Sequence, residues 1–190
     1  MRKIFVTLLV FISVHVYATG LDVSQPVINS LCANTLCPTG APVDNFTVDH
    51  KLIILSSNRT TKFADWVAYK VEKANLGGGA NRYWRKDPEI SADYTLIPSP
   101  DDYKGANEEY GYDRGHQAPL ANFSNNDNYA VVNYLSNITP QKADLNQGSW
   151  VRLENAERRL ITAHNYKNLY VVTGHIMTQT CLCQNYLMHV

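Results

Sequence analysis

The segment 145–164 constrains the fold of this chain more than any other part of the sequence. Its large apolar side chains recur at helical spacing and form one stripe: Trp150, Leu153, Leu160 and Ile161. Charged residues occupy the other positions: Glu154, Glu157, Arg158 and Arg159. The pattern predicts an amphipathic helix over 145–164, with Asp144 as its N-cap. Such a helix must bury its stripe against another element, so the rest of the chain has to supply an apolar surface.

Four segments are typical of β-strands. The apolar runs at 48–55 and 63–71 predict two strands that pair with each other, and 131–138 and 169–173 predict two more. The long, mostly polar stretch 82–111 is expected to form surface loops. We therefore predict an α+β domain with a central, mainly antiparallel sheet. The predicted helix packs against that sheet, and the functional site lies between them.

The first eighteen residues are typical of a secretory signal peptide. Arg2 and Lys3 precede an apolar run at 4–16, and Val16-Tyr17-Ala18 matches a cleavage site. An uncleaved N-terminal anchor is the alternative. The signal predicts a secreted protein, extracellular or periplasmic, with its domain at 19–190. No membrane contact is expected after the signal is removed.

The charge balance restricts the classes of function. The chain has 17 basic and 17 acidic residues, and the signal would remove two basic ones, which leaves a net charge of −2. A passive nucleic-acid coat protein would need a large excess of lysine and arginine. An enzyme that concentrates a few positive charges in one cleft remains compatible with this composition.

The string Asp113-Arg114-Gly115-His116 carries the densest chemistry in the chain. It joins a candidate general base, a guanidinium and a carboxylate within four residues. Asn146 lies thirty positions after His116, on the predicted helix that also carries Glu154 and Arg158. A base, a hard-cation ligand and several guanidiniums are what phosphodiester hydrolysis requires.

Helix geometry suggests how a cation would be held. Asn146 and Glu154 are separated by roughly 12 Å along the axis, so both cannot easily bind one small ion directly. Asn146 is expected to be a direct ligand, whereas Glu154 would hold the ion through water. Magnesium tolerates this arrangement because it retains several waters. Arg158 follows Glu154 at i,i+4, and the two are expected to pair.

The segments DRGHQAPLANF and NYLSNITPQKADLNQGSWVRLENAERR, together with TTKFADWVAYKV and the Arg82-Tyr83-Trp84 region, resemble the DNA/RNA non-specific endonuclease family. The resemblance is greatest to its secreted, Serratia-type members. It implies a ββα-metal (His-Me finger) site in a Mg²⁺-dependent endonuclease, with Mn²⁺ as an alternative ion. The implied reaction cuts DNA and RNA, single- or double-stranded, to 5′-phosphorylated oligonucleotides.

The resemblance also implies a role for each site residue. His116 would be the general base, Asn146 the direct metal ligand and Glu154 the residue that holds the metal's waters. Three arginines would bind or neutralise the scissile phosphate and its leaving group: Arg82, Arg114 and Arg158. Asp113 and Asn137 would support His116 and the metal.

Each assignment has a structural alternative. His116 could be a buried, hydrogen-bonded histidine, Asn146 could simply start the helix, and Glu154 and Arg158 could be a solvated pair. Four glycosylation sequons occur, at Asn45, Asn58, Asn122 and Asn137, but a glycan on Asn137 would block the site. That conflict favours a bacterial source, in which the sequons have no meaning.

Cysteines and the C-terminus complete the sequence-based expectations. Cys32 and Cys37 are expected to form a disulfide that closes a short loop. The pairing of Cys181 and Cys183 stays open, with a zinc site as the alternative for all four. From about residue 175 the chain departs from the family's pattern, which predicts a C-terminal truncation and an incomplete sheet. The rival function is therefore an inactive remnant that folds poorly or only binds nucleic acid. A homodimer is compatible with the sequence, which does not determine oligomeric state.

Overall fold

The computed structural model describes residues 37–78, 80–98, 106–164 and 166–174. The predictions for the signal at 1–18, for Cys32 and for the segment from 175 onward, including Cys181 and Cys183, fall outside these ranges. The described residues form six strands and two α-helices. These are β1 (Phe46–Asp49), β2 (Ile53–Ser57), β3 (Ala64–Glu72), α1 (Ala106–Tyr110), β4 (Tyr112–His116), β5 (Ile138–Lys142), α2 (Val151–Thr162) and β6 (Asn168–Gly174). Within the described ranges, no helix is long and apolar enough to cross a membrane.

The larger sheet is antiparallel throughout, with the strand order β1-β2-β3-β6. Successive side chains of a strand point to opposite faces. In β3, Val67 and Tyr69 therefore enter the main core, whereas Trp66 and Ala68 enter a smaller cluster on the other face. Strand β2 is buried along its whole length because it is an inner strand that is covered on both faces.

A second, two-stranded sheet carries the DRGH string. Strand β4 pairs antiparallel with β5, so that His116 lies opposite Ile138 and Tyr112 opposite Lys142. The chain then continues through a π-helical segment, Leu145–Trp150, directly into α2. Ile161 of α2 packs into the main core beside β3 and β6. This arrangement confirms the predicted α+β fold and forms a ββα unit on the side of the main sheet.

Two strand predictions differ from the structure. The apolar run 48–55 is not one strand, because Lys51 has a φ of 68° and its N–H bonds to Asp49 Oδ1 at 2.7 Å, which turns the chain between β1 and β2. The run 131–138 is mostly helical, with 3₁₀ turns at Tyr129–Asn133 and Leu135–Asn137. Short apolar runs indicate burial but do not distinguish strand from turn. The strands predicted at 63–71 and 169–173 are confirmed as β3 and β6, and β3 pairs with β2.

The predictions for the helix and for the long loop need correction too. Asp144 is not an N-cap: its φ and ψ of −60° and −36° are helical, and its side chain makes no capping bond. Glu157, expected on the polar face, is only 2% exposed. The stretch 82–111 is not all surface loop, because it ends in α1 and buries Asp87 and Ile90.

A buried ion pair connects the turn between β1 and β2 to the loop that follows Arg82 and Trp84. His50 Nε2 lies 2.7 Å from Asp87 Oδ2, and Ser136 Oγ donates to the same oxygen at 2.6 Å. Burial lowers the pKa of His50, but the hydrogen bond and charge of Asp87, helped by Glu89, raise it by more, so the net pKa is above its usual 6.5.

We expect the stabilisation from His50 to depend on pH. A raised pKa in the folded state favours folding below the unfolded-chain value of about 6.5, and the benefit is lost as the pH rises through the folded-state pKa. The difference in free energy of unfolding between the native chain and His50→Ala should therefore be larger at acidic than at alkaline pH. Urea titrations across this range measure it.

The exposed His164 provides the matched control. The cavity left by His50→Ala costs the same at every pH, so the slope of the difference isolates the charge interaction. A difference that is constant with pH, or that matches the slope for His164→Ala, would show that the pair stabilises the fold by packing alone.

Candidate active site

One cleft of about 760 Å³ brings together most of the residues that the sequence singled out. Its lining consists of residues from the loop before α1, from α1, from β4, from the turn after β4, from the π-helical segment and from α2: Arg82, Trp84, Glu108, Tyr112, Asp113, Arg114, His116, Leu120, Ala121, Asn146, Gln147, Val151 and Glu154. None of these residues belongs to the four-stranded sheet, so the prediction of a site between the central sheet and the helix is wrong: the helix and β4 form the cleft. Of the predicted catalytic, supporting and metal-binding residues, Asn137 and Arg158 do not line the cleft.

His116 is held by one hydrogen bond to its ring and one to its backbone carbonyl. Its Nε2 lies 3.0 Å from Asn133 Oδ1, and Asn133 Nδ2 donates to the Asn81 carbonyl at 3.0 Å. Because the second bond commits the amide nitrogen, the amide oxygen faces the imidazole and accepts from Nε2–H. The Trp150 indole N–H donates to the His116 carbonyl at 3.1 Å. The neutral tautomer that results has its lone pair on Nδ1.

The environment of His116 favours this neutral form. Burial, assisted by the charge of Arg82, lowers its pKa to about 4, although the hydrogen bond to Asn133 acts in the opposite direction. Trp84 contributes to the burial, with its ring centroid 5.3 Å from that of the imidazole. An imidazole with this pKa is unprotonated at neutral pH and can accept a proton.

Asp113 fixes the orientation of Asn146. The Asn146 Nδ2 donates to Asp113 Oδ2 at 2.9 Å, and Gln147 Nε2 donates to the same oxygen at 2.8 Å. Since a carboxylate oxygen accepts the bond, the amide nitrogen of Asn146 is used there and its Oδ1 is the atom left for another partner. Strand β4 and the π-helical segment are joined through these bonds.

Glu154 lies on the same wall of the cleft, two turns further along the helix. Burial raises its pKa, while the charges of Arg158 and Arg82 lower it by less. Arg158 Nη2 lies 3.8 Å from Glu154 Oε2, which confirms the predicted i,i+4 pair. The other guanidinium contacts point away from the cleft, to Asn122 and Asn155 at 2.9 Å each.

The donor set fits a hydrated magnesium ion. Among the described residues, no group of three or more His, Cys, Asp or Glu side chains could hold a metal. The cleft instead offers an oriented amide oxygen from Asn146 and a carboxylate from Glu154. Magnesium needs oxygen ligands, accepts one or two protein oxygens and retains waters, so this pair suits it better than zinc or a fully caged ion.

Comparison with known proteins identifies the family. Residues 32–187 match the model of the DNA/RNA non-specific endonuclease family. A nuclease of Serratia marcescens is 48% identical over 138 residues, which are 73% of this chain and 51% of that protein. The chain belongs to the DNA/RNA non-specific endonuclease family.

More distant members of the family are also similar. A Nostoc nuclease is 32% identical over 72% of this chain and 50% of its own length, and human mitochondrial endonuclease G is 33% identical over 64% of this chain and 39% of its own length. A chain in the crystal structure of the EndoG/EndoGI complex is 25% identical, with a TM-score of 0.56 over 75% of this chain and 58% of that chain. The chain spans about half the length of the Serratia and Nostoc nucleases.

The two cleft arginines lie close to the aromatic pair formed by Trp84 and His116. Arg114 lies over the Trp84 ring, with its guanidinium carbon 5.6 Å from the centroid, a geometry that favours a cation–π contact. Arg82 is exposed and lies close enough to His116 to depress the pKa of that imidazole. Both guanidiniums thus reach the cleft of this endonuclease-family chain, as the sequence predicted, whereas Arg158 reaches it through Glu154.

Asn137 supports the backbone beside His116 rather than its ring. Its Oδ1 accepts from the Ala118 N–H at 2.9 Å, and its Nδ2 donates to the carbonyls of Ala118 and Val132 at 3.1 and 2.8 Å. The ring contact belongs to Asn133, which the sequence reading missed. The sequence signal that could have indicated Asn133 was an amide side chain inside the otherwise apolar run 131–138. Asn137 is fully buried, so the folded chain does not expose its sequon.

Gly115 permits the close approach of β5 to β4. A Cβ at this position would lie 2.6 Å from Gln141 Cβ, because the Gln141 side chain packs directly over the glycine. Gly148, on the π-helical segment, has nothing within 4 Å of the same virtual atom. The Arg-Gly-His spacing therefore has a packing reason that is independent of chemistry.

We expect Gly115→Ala to destabilise the fold by about 1–3 kcal/mol, the usual cost of overpacking. The added methyl group would displace the backbone at position 115, which lies between Arg114 and His116. Any nuclease activity should therefore fall as well. Thermal or urea unfolding measures the first effect. Gly148→Ala is the control and should be neutral or slightly stabilising. Equal stability of the two variants would contradict the packing argument.

Proposed function

We propose that this chain is a sugar-non-specific endonuclease that hydrolyses phosphodiester bonds of DNA and RNA with a His116 general base and a bound Mg²⁺ ion. The observation that carries the proposal is the convergence of a neutral, oriented imidazole, two guanidiniums and an oriented amide oxygen on one cleft. The family of the chain supports the same reaction class.

The proposed first step is proton transfer from water to His116. With Nε2–H donating to Asn133, the imidazole accepts the proton at Nδ1. The water oxygen forms a bond to phosphorus and the P–O3′ bond breaks, which leaves a 5′-phosphate on one product. The departing O3′ takes up a proton from solvent and becomes the 3′-hydroxyl of the other product. Burial keeps the pKa of His116 low, so the proton is released again to solvent and the base is regenerated.

The arginines would bind and stabilise the negatively charged phosphate. Arg82 and Arg114 present donors into the cleft, and a guanidinium matches the geometry of phosphate oxygens. Contacts of this kind address the backbone of the nucleic acid rather than base edges, which suits a nuclease indifferent to sequence and sugar. Arg158 would act mainly by holding Glu154.

Asn146 and Glu154 are the residues we propose for the cation. Asn146 would offer Oδ1 directly, in the orientation set by Asp113, and Glu154 would hold water. When bound, Mg²⁺ supplies charge neutralisation at the phosphate, and Mn²⁺ could replace it. Secretion by means of the 1–18 signal, and a disulfide between Cys32 and Cys37, belong to the same proposal and rest on the sequence. Cys37 is disulfide-bonded.

The base is tested by His116→Ala. Turnover of plasmid DNA and of RNA with Mg²⁺ should fall by about two to four orders of magnitude, the usual contribution of general-base catalysis. Affinity for DNA in EDTA should change little, because the phosphate contacts come from arginines. Gel or fluorescence cleavage assays and filter binding measure the two quantities.

His164→Ala is the matched control, because this histidine is exposed and lies outside the cleft. Retention of more than a tenth of the native turnover by His116→Ala would contradict the assignment. An unsubstituted chain that binds DNA without cutting it in Mg²⁺ would contradict the proposed activity itself and would favour the inactive alternative.

The cation ligands are tested by Asn146→Ala and Glu154→Gln. The first change removes the proposed direct oxygen, and the second keeps the shape of Glu154 but removes its charge. Both variants should need more Mg²⁺ for half-maximal cleavage, by roughly tenfold or more, with the larger effect at Asn146. Mg²⁺ titrations of the cleavage rate measure this. If both variants keep the native Mg²⁺ requirement, the ion binds elsewhere.

A further inference from the structure

Glu157 is a buried carboxyl group that the proposed reaction does not use. It is 2% exposed and lies on α2, on the side that faces the main sheet. The Tyr69 hydroxyl donates to its two oxygens at 3.1 and 3.2 Å, and Asn122 Nδ2 donates to Oε2 at 2.8 Å. A buried carboxyl group without such donors would strongly destabilise the fold. The group is therefore satisfied, and its partners indicate its purpose.

Asn122 links Glu157 to the cleft side of the helix. It is fully buried, and its second amide atom, Oδ1, accepts from Arg158 Nη1 at 2.9 Å. A carboxylate accepts hydrogen bonds and a guanidinium only donates them. The Asn122 amide can therefore satisfy both partners in only one orientation, with Nδ2 toward Glu157 and Oδ1 toward Arg158. Glu157 thus orients Asn122, and Asn122 in turn orients the Arg158 guanidinium.

Arg158 carries the contact onward to the cleft. Its Nη2 lies 3.8 Å from Glu154 Oε2, and Glu154 lines the cleft. A continuous series of contacts thus runs from Tyr69 on β3, through Glu157, Asn122 and Arg158, to the carboxylate proposed to hold the cation's waters. Without Asn122, Arg158 would keep Asn155 as a hydrogen-bond partner, which is exposed and on the same helix.

We propose that Asn122 is a positioning residue for the cation site, which holds Arg158 against Glu154 and is itself oriented by Glu157. This inference rests on the proposed function, because it gives Glu154 a role in binding the cation. Asn122 touches neither the cleft nor the reacting atoms, so it acts only through Arg158.

The hydrogen bond, rather than the charge of Glu157, is the operative feature. Burial raises the pKa of Glu157 to about 7, against the opposing bonds from Asn122 and Tyr69. Its charge therefore varies close to neutral pH, whereas an oxygen that accepts from Asn122 is present in both protonation states. A glutamine at position 157 would keep that acceptor.

The experiment measures Mn²⁺ binding to the full chain by electron paramagnetic resonance, together with the Mg²⁺ dependence of cleavage. Asn122→Ala should weaken Mn²⁺ binding by about tenfold, the lower end of the range for residues that orient metal ligands. Asn126→Ala is the matched control: this amide lies in the same loop, bonds to Asn75 at 2.9 Å and is outside the cleft. It should bind Mn²⁺ within twofold of the native chain.

A double-substitution cycle separates positioning from general damage. If Asn122 acts through Arg158, Asn122→Ala should weaken Mn²⁺ binding no further once Arg158→Ala is present. Additive losses, or unchanged binding in Asn122→Ala alone, would overturn the inference.

Two changes at Glu157 test the same idea should Asn122→Ala fail to fold. Glu157→Gln should keep Mn²⁺ affinity within about twofold, whereas Glu157→Met, of similar volume but without an acceptor, should lose about as much as Asn122→Ala. Equal affinities for the Gln and Met variants would overturn the inference. Absence of Mn²⁺ binding and cleavage by the native chain would overturn the proposed function as well, which distinguishes the two failures.

Discussion

The pairing of β4 with β5 is the constraint on which the site depends. Its register places Asp113 opposite Gln141 and His116 opposite Ile138, and the chain turns into the helical segment immediately after β5. The helix then contacts β4 twice, through Asn146 at Asp113 and through Trp150 at the His116 carbonyl. The strand advances roughly 10 Å from Asp113 to His116, and the helical segment advances roughly 6 Å from Asn146 to Trp150. The two elements therefore run side by side and hold the His116 imidazole and the Asn146 amide in one cleft.

The pairing in turn depends on residues that have no chemical role. Gly115 leaves room for Gln141, and Gln117 donates to the Ala64 carbonyl at 2.8 Å, which attaches the end of β4 to the main sheet. Thr173 of β6 donates to the Gln117 carbonyl at 3.1 Å. The small ββα unit is thus attached to the larger sheet at the residue that directly follows His116.

Local patterns in the sequence were sufficient for parts of this structure. The helical stripe that includes Trp150 and Ile161 predicted the helix, and the β-prone runs that became β3 and β6 predicted strands, because each signal lies within a few residues. The run 131–138 was misread, since its apolar residues are buried by turns rather than by a ladder. Asn133 escaped notice because its partner, His116, is seventeen residues away. Contacts at such distances leave no local periodicity.

Glu157 is a second residue whose environment could not be predicted from local sequence. Its position among charged residues of the helix indicated that it is exposed. Its hydrogen-bond donors, Tyr69 and Asn122, belong to distant segments of the chain and leave no local signal in the sequence. Arg158 could be predicted as the partner of Glu154 because i,i+4 neighbours must meet on a helix. Its second partner, Asn122, depends on tertiary packing alone. Sequence reasoning thus found the residues on the cleft more readily than those that hold them.

The environment of the cleft shifts the pKa values of His116 and Glu154 in opposite directions. Burial and the charge of Arg82 lower the pKa of His116, whereas burial raises that of Glu154 against Arg158 and Arg82. The same desolvation acts in opposite directions because it disfavours the charged form of each group. An imidazole kept neutral can take a proton at physiological pH. A divalent cation beside Glu154 would favour the ionised form of this carboxylate and would thus oppose the effect of burial on its pKa.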